Sequence, residues 1–296
     1  MTIKEAEKNI DEFHILSNPN EDEQFLYIES LKFLIEKTNE SKYMLELGGY
    51  YYELQDFDLA LKYYEMAALK NDVNAYECLG YIWYYGRTGT KDYKKAFENF
   101  EKAMNLGNLV ATYKVADMYK NGFYVKKNYE KYKKIIEDLF EKMWDDDDYY
   151  DIFAPLPEVW TRVAKIKIEE NKKEQAKRLL EEAKLTLAKR IHYNSFFGNF
   201  TIMKWLIKDL YTVKNFDKNN FNFYDLYYAL SKPAKITFNH INKTYLVESV
   251  MEENQIAVRF EDKWFRTIDD FMQKAEIDGE KLSYIYDELE NFKINS

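Results

Sequence analysis

The sequence predicts a mainly α-helical protein, a helical repeat array followed by a small α+β domain with an antiparallel β-meander. Three observations lead there. Segments of one pattern recur between residues 41 and 192. Gly and Pro are scarce (9 and 4 of 296 residues) beside 46% hydrophobic residues, which suits tightly connected helices better than a turn-rich β fold. Alternation with period two, the mark of a half-buried strand, falls in the stretch after residue 233.

The chain divides into an N-terminal helical cap (1–40), a repeat region (41–192) with a loop insertion near 144–158, and a C-terminal part (193–296). In the cap, EDEQFLYIESLKFLIEKT reads as a helix with Phe25, Ile28, Leu31 and Ile35 on one face, and a short helix is expected before it. The repeats begin at Leu45, Glu77 and Tyr113, each with a small residue on its first helix (Gly48, Gly80, Ala116). Each then carries an acid or amide followed by an aromatic: Asp56-Phe57, Asp92-Tyr93, Asn128-Tyr129. Asp56 and Asp92 stand where a helix N-cap satisfies free backbone N–H groups.

Apolar stripes at i, i+3, i+4, i+7 follow: Ala60, Tyr63, Tyr64 and Ala67; Ala96, Phe100 and Ala103; Ala176, Leu179, Leu180, Ala183 and Leu187. Copies two and three keep a spacing of 36 at Gly80–Ala116, Gly86–Gly122 and Asp92–Asn128. A fourth, weaker copy starts at Val159. Its Ala164–Ala176 spacing is 12, like Gly48–Ala60, whereas Gly80–Ala96 and Ala116–Tyr132 span 16.

These residues resemble the related tetratricopeptide (TPR-like) and Sel1-like repeat families over residues 41–190. Tetratricopeptide units have the short turn and Sel1-like units a four-residue insertion. The second copy is the best match, through Leu79-Gly80, Tyr84-Tyr85-Gly86, Gly89 and Ala96; the third departs at Ala116 and Tyr132. The resemblance implies a right-handed superhelical α/α array, an α-solenoid whose first helices line a concave groove. It places Leu45, Gly49, Tyr52, Asn74, Glu77, Tyr81, Tyr84, Tyr113, Asp117, Lys120, Thr161 and Lys165 on that groove. The alternative for Tyr81 and Tyr84 is packing against the cap.

Between copies three and four, Pro155 and Pro157 disfavour continuous helix, giving the loop insertion. After residue 192, GNFTIMKWLIKDLY reads as a helix with Ile202, Trp205, Leu206 and Leu210 on one side, and NFYDLYYALS as another that stops before Pro233. AKITFN, KTYLVESV, QIAVRF and KWFRT then alternate (Ile236, Phe238; Tyr245, Val247, Ser249; Ile256, Val258, Phe260; Trp264, Arg266). Two short helices, IDDFMQKA and EKLSYIYDELENF, are expected to close the chain.

The net charge is −9, shared as −3 over residues 193–296 and −6 over the rest, so no distinct basic domain is expected and nucleic-acid binding is disfavoured. The charged N-terminus lacks the apolar segment of a signal peptide, and no run of 18 apolar residues exists. With Cys78 as the one cysteine, a cytoplasmic protein without membrane association is expected; Lys-, Tyr-, Asn- and Ile-rich usage points to an AT-rich bacterial genome.

Chemistry is sparse. His14, His192 and His240 have no ligand at i+3 or i+4, and no phosphate loop or GxSxG occurs. Cys78 reads as a packing thiol on a repeat helix. Asp145–Asp148 lack the spacing of a calcium loop and read as a solvated acidic loop. No cofactor, metal or catalytic residue is assigned. The function expected is a scaffold or adaptor that binds a partner protein or peptide in the groove. The competing readings are an acidic inhibitor or immunity-type protein masking a basic toxin or nuclease, and an enzyme with a site in the C-terminal domain.

Overall fold

A computed structural model describes residues 1–16, 18–144, 156–193, 197–215, 221–252 and 255–295. The chain forms two compact units, residues 1–135 and 136–296. Predominantly helical repeats precede a five-stranded antiparallel sheet.

The first unit opens with α1 (Ile3–His14) and α2 (Glu21–Thr38), each started by a reciprocal cap, Thr2 with Glu5 and Asn20 with Glu23. The buried face of α2 is Tyr27, Ser30, Leu31 and Leu34, whereas Phe25 is exposed. This corrects the face expected from sequence. Ser30 is fully buried where α1 crosses, and Asn9 Nδ2 donates to its hydroxyl at 3.0 Å. A count of apolar positions alone passes over such a residue.

Three repeats follow, built from α3 (Ser41–Glu53) and α4 (Phe57–Ala68), α5 (Val73–Tyr85) and α6 (Tyr93–Asn105), and α7 (Leu109–Asn121) with the first two turns of α8 (Tyr129–Trp144). The small residues do what a close helix approach requires. A Cβ at Gly48 would lie 2.6 Å from the Tyr64 ring, and one at Gly80 2.5 Å from the Phe100 ring. The stripes on α4 and α6 are buried throughout.

The two repeat lengths have one geometric basis. In each pair the amide of the second helix's N-cap donates back to the end of the first: Asp56 to Tyr51 O (2.9 Å), Asp92 to Trp83 O (3.0 Å), Asn128 to Tyr119 O (2.8 Å). The short turn reaches that bond through Gln55 at φ 62. The long ones leave their helices through Gly86 and Gly122 at φ 67 and 75, conformations that a Cβ disfavours. The cap carboxylates accept as their positions require, Asp56 from Leu59 N–H at 3.1 Å and Asp92 from Lys95 N–H at 3.0 Å. Asp92→Ala is therefore expected to lower stability by about 1 kcal/mol, measured by urea denaturation, and Asp92→Asn to lower it less.

The second unit contains α9 (Leu156–Glu169) and α10 (Lys173–Tyr193), whose turn through Asn171 at φ 60 matches the short turn of the first repeat. Pro157 sits in the first turn of α9, where its missing N–H has no helical partner to lose. The rest of the expected insertion, residues 145–155 with Pro155 and Asp145–Asp148, lies outside the described residues. On α11 (Phe197–Val213), Phe200, Met203, Leu206, Ile207 and Leu210 are buried while Trp205 is exposed, so the inward face is rotated from the expected one. The helix is apolar on most sides, and periodicity alone leaves two candidate faces. A 3₁₀ turn (Phe223–Asp225) and α12 (Leu226–Ala229) end before Pro233.

The sheet orders its strands β4 (Lys263–Phe265), β3 (Gln255–Phe260), β2 (Lys243–Glu252), β1 (Ala234–His240) and β7 (Glu290–Asn295). Strands β1, β2, β3 and β4 form the expected meander. Its inner face carries Ile236 and Phe238, Tyr245, Val247 and Ser249, Val258 and Phe260. On β4 the inward residue is Phe265, paired with Val258, while Trp264 is exposed. The two-residue turn Glu261-Asp262 sets this register, one residue off the expectation. Helix α13 (Ile268–Lys274) forms as predicted.

The second terminal helix does not form. Instead β5 (Glu276–Ile277) and β6 (Glu280–Lys281) pair around Asp278-Gly279, a two-residue hairpin turn with φ 51 and 88. Turns then bury Leu282, Ile285 and Leu289, and β7 (Glu290–Asn295) pairs antiparallel with β1. Apolar spacing of three and four residues is met here by successive turns rather than by a helix.

Candidate functional site

The site sits on the first helices of the second and third repeats, within the first unit. Tyr81, Tyr84 and Tyr85 occupy i, i+3 and i+4 on α5, one helix face. Tyr81 stacks parallel to Tyr85 (6.0 Å between centroids) and meets Phe100 edge-on at 5.5 Å. Tyr84 contacts Tyr93 and Phe123 edge-on at 5.6 and 6.0 Å. Both are half-buried, whereas Tyr85 keeps 44% of its surface exposed.

Above this floor stands Lys114 of α7. Its ammonium lies 4.8 Å from the Tyr81 centroid, 5.6 Å from Tyr84, and 5.7 Å from Tyr85 and from Tyr113. The negative ring faces attract the cation. Burial pushes the Tyr81 phenol far above its ordinary pKa, so it remains a neutral donor. One turn back, Glu77 accepts from Asn108 Nδ2 at 2.7 Å, and its burial raises the carboxyl pKa despite that bond and the nearby Lys114.

A second cation marks the edge of this face. Arg87, in the long turn after α5, donates its Nε–H to the Tyr52 hydroxyl at 3.0 Å. Its guanidinium lies 5.2–5.7 Å from the Tyr85, Phe57 and Tyr52 rings. Beside it an open depression is lined by Leu54, Asp56, Phe57, Asp58, Arg87 and Thr88.

Among the remaining candidates, Asn74 is exposed at the start of α5 and Asp117 half-buried on α7; Leu45 and Gly49 are half-buried on α3. Lys120 sits 4.7 Å above the Tyr132 ring, and Tyr113 is buried. Thr161 and Lys165 belong to the second unit. Thr161 is buried with its hydroxyl donating to Pro157 O at 2.6 Å, and Lys165 pairs with Asp209 at 3.0 Å.

The structure thus brings Tyr52, Glu77, Tyr81, Tyr84 and Tyr113 into one neighbourhood and adds Tyr85, Arg87 and Lys114. Two of the additions had a signal in the sequence. Tyr85 lies one helical turn from Tyr81, and Lys114 shares a face of α7 with Asp117.

Among the described residues no cluster of three or more His, Cys, Asp or Glu could hold a metal ion. Burial beside Glu77 pushes the Cys78 thiol up to about 12, which keeps it protonated. In the second unit His240 is buried with Nε2 3.2 Å from Glu288 Oε2. The inner face of the sheet is packed with the rings of Phe238, Tyr245, Phe260, Phe271 and Phe292. No helix among the described residues is long and apolar enough to cross a membrane.

The Sel1 repeat model matches residues 41–72, 76–108 and 109–131. No curated protein matches the chain in sequence. Solved structures similar to it include the following two. A Sel1 repeat protein from Oxalobacter formigenes is 20% identical, with TM-score 0.47 over 69% of this chain and 84% of that one. A protective antigen of uropathogenic Escherichia coli strains, displaying an SLR fold, is 18% identical, with TM-score 0.45 over 63% of this chain and 44% of that one.

Proposed function

From the premise that residues 41–131 are Sel1 repeats, we propose that the chain is a cytoplasmic scaffold that holds a partner protein or peptide on the tyrosine face of α5 and α7. Sel1 repeat proteins in general mediate protein–protein interaction and typically do so without catalysis. The observation that supports the placement is the set of tyrosines gathered around Lys114, with Arg87 at its edge. Tyrosines supply rigid, amphipathic contact area at low entropic cost, and aromatic residues carry much of the energy of known interfaces. On this reading the second unit, residues 136–296, is not the binding surface.

Tyr85 is the cleanest probe, because it is more exposed than Tyr81 and Tyr84. Partners captured from the native host by the wild-type chain would be purified and titrated calorimetrically against wild type and Tyr85→Ala. We expect a loss of at least 1 kcal/mol in binding, about fivefold or more, with unchanged melting temperature. Equal affinities would exclude the tyrosine face as the binding surface.

A further inference from the structure

The net charge of −9 conceals a strong internal polarity. Residues 1–72 carry 7 Lys+Arg and 16 Asp+Glu, a charge of −9, whereas residues 73–135 carry 12 and 6, a charge of +6. Division of the chain near residue 192 averages the two away: neither unit is basic as a whole, but this stretch within the first unit is.

The cations cluster on the edge formed by the long turns and the starts of α6 and α8. Lys91 and Lys127 occupy equivalent places, each packed on its turn glycine, Gly86 or Gly122. Lys95 and Lys131 are also equivalent, with ammonium groups 4.0 Å above the Trp83 ring and 4.1 Å above the Tyr119 ring. The patch is contiguous. Phe123 of the third repeat's turn stacks on Tyr93 of α6 at 4.5 Å, and Tyr124 lies 5.7 Å from Phe97. Lys91, Lys126, Lys127, Lys131 and Lys134 are exposed, and among the described residues none of them pairs with a carboxylate. Elsewhere in the first unit some exposed lysines pair, as Lys8 with Glu12 and Lys32 with Glu29, and within the basic stretch Lys94 reaches Glu98 at 4.0 Å.

We infer that this lysine edge of the second and third repeats docks an acidic segment of a partner protein. The inference rests on the scaffold reading above and adds the chemistry of what is held. A row of ammonium groups at repeat spacing matches carboxylates on an extended chain, and like-charged partners are rejected. Two features disfavour a polyanion of another class. Trp83 and Tyr119, the rings on which bases would stack, are covered by Lys95 and Lys131. A nucleic acid or an anionic bilayer also extends past two repeats, toward residues that carry −9. A short acidic segment fits the basic stretch and stops there.

The test uses the full chain and a labelled peptide of Glu and Asp with interspersed Leu, followed by fluorescence anisotropy. A Lys/Leu peptide, a thymidine oligonucleotide and phosphatidylserine vesicles serve as comparison probes. The acidic peptide is expected to bind, less tightly as salt rises, and to lose about tenfold in affinity in Lys126→Gln/Lys127→Gln/Lys134→Gln. The control Lys235→Gln/Lys243→Gln/Lys274→Gln makes the same change in net charge on the second unit and is expected to bind as wild type. Equal weakening in both triple variants would reduce the effect to net charge and overturn the inference, as would tighter binding of the oligonucleotide or the vesicles. A captured partner lost by Tyr85→Ala but held by the lysine variant overturns the inference and leaves the scaffold reading standing. A partner lost by the lysine variant alone supports the inference and removes the tyrosine face.

Discussion

Asp225→Ala is expected to destabilise the second unit by about 3–5 kcal/mol, the cost of leaving a buried charge without its partner. The Asp225 side chain is fully buried, and Lys184 of α10 is nearly so, with Nζ 2.6 Å from Oδ2. Asp225 also accepts from the Asn222 amide (2.8 Å) and the Tyr211 hydroxyl (3.2 Å), so one carboxylate joins α10, α11 and the 3₁₀ turn. Burial pulls the Lys184 pKa below its ordinary value, and Asp225 works against that shift.

Without Asp225 the pKa falls further. A folded-state pKa below the unfolded one means that the unfolded chain binds more protons in the interval between them. Stability of the variant then rises with pH across that interval, up to the ordinary lysine value. Urea denaturation at rising alkaline pH should show the penalty of Asp225→Ala shrinking. The double variant Lys184→Met/Asp225→Leu should recover most of the loss, since apolar replacement of a buried pair is often neutral or better. A penalty independent of pH would mean that Lys184 is not held charged by Asp225.

Phe100→Ala is expected to cost about 3–5 kcal/mol, because it removes a fully buried ring from the core of the second repeat. The ring also seats Tyr81 and Tyr84, so partner binding should fall with stability. Gly80→Ala alone should cost about 1–3 kcal/mol, since the new methyl would sit 2.5 Å from that ring. Combined, the two should cost less than their sum, because the cavity left by Phe100 accepts the methyl of residue 80. Additive losses in thermal or urea denaturation would show that the Gly80–Phe100 approach is not what constrains residue 80.

The helix pairs were legible because their determinants are local. Spacings of 12 and 16 between small residues translate into two turn lengths, and Asp56 and Asp92 announce the starts of α4 and α6. The meander was legible for the same reason, since alternation and two-residue turns lie within a few positions of each other. What escaped depends on neighbours distant in sequence. The inward face of α2 is decided by α1 crossing at Ser30, and that of α11 by packing that its broad apolar surface does not encode. The hairpin at Asp278-Gly279 had a local signal, but the three- and four-residue spacing of Leu282, Ile285 and Leu289 reads equally as helix. At the candidate site, Tyr81 and Tyr84 were legible from helix position. Arg87 was not, because only the fold of its turn lays it across Tyr52, Phe57 and Tyr85.

The N-cap bond back to Tyr51, Trp83 or Tyr119 holds each helix pair at the same join whether the intervening turn is short or long. Chain length on that edge is thereby uncoupled from the core. Residues can be inserted, deleted or recoded between the glycine and the cap while the helices stay in place. In evolutionary terms the edge is a variable region on an invariant frame, where binding specificity can drift from copy to copy without a fold being reinvented. For an engineer it is a grafting position, already interchanged by nature between two lengths.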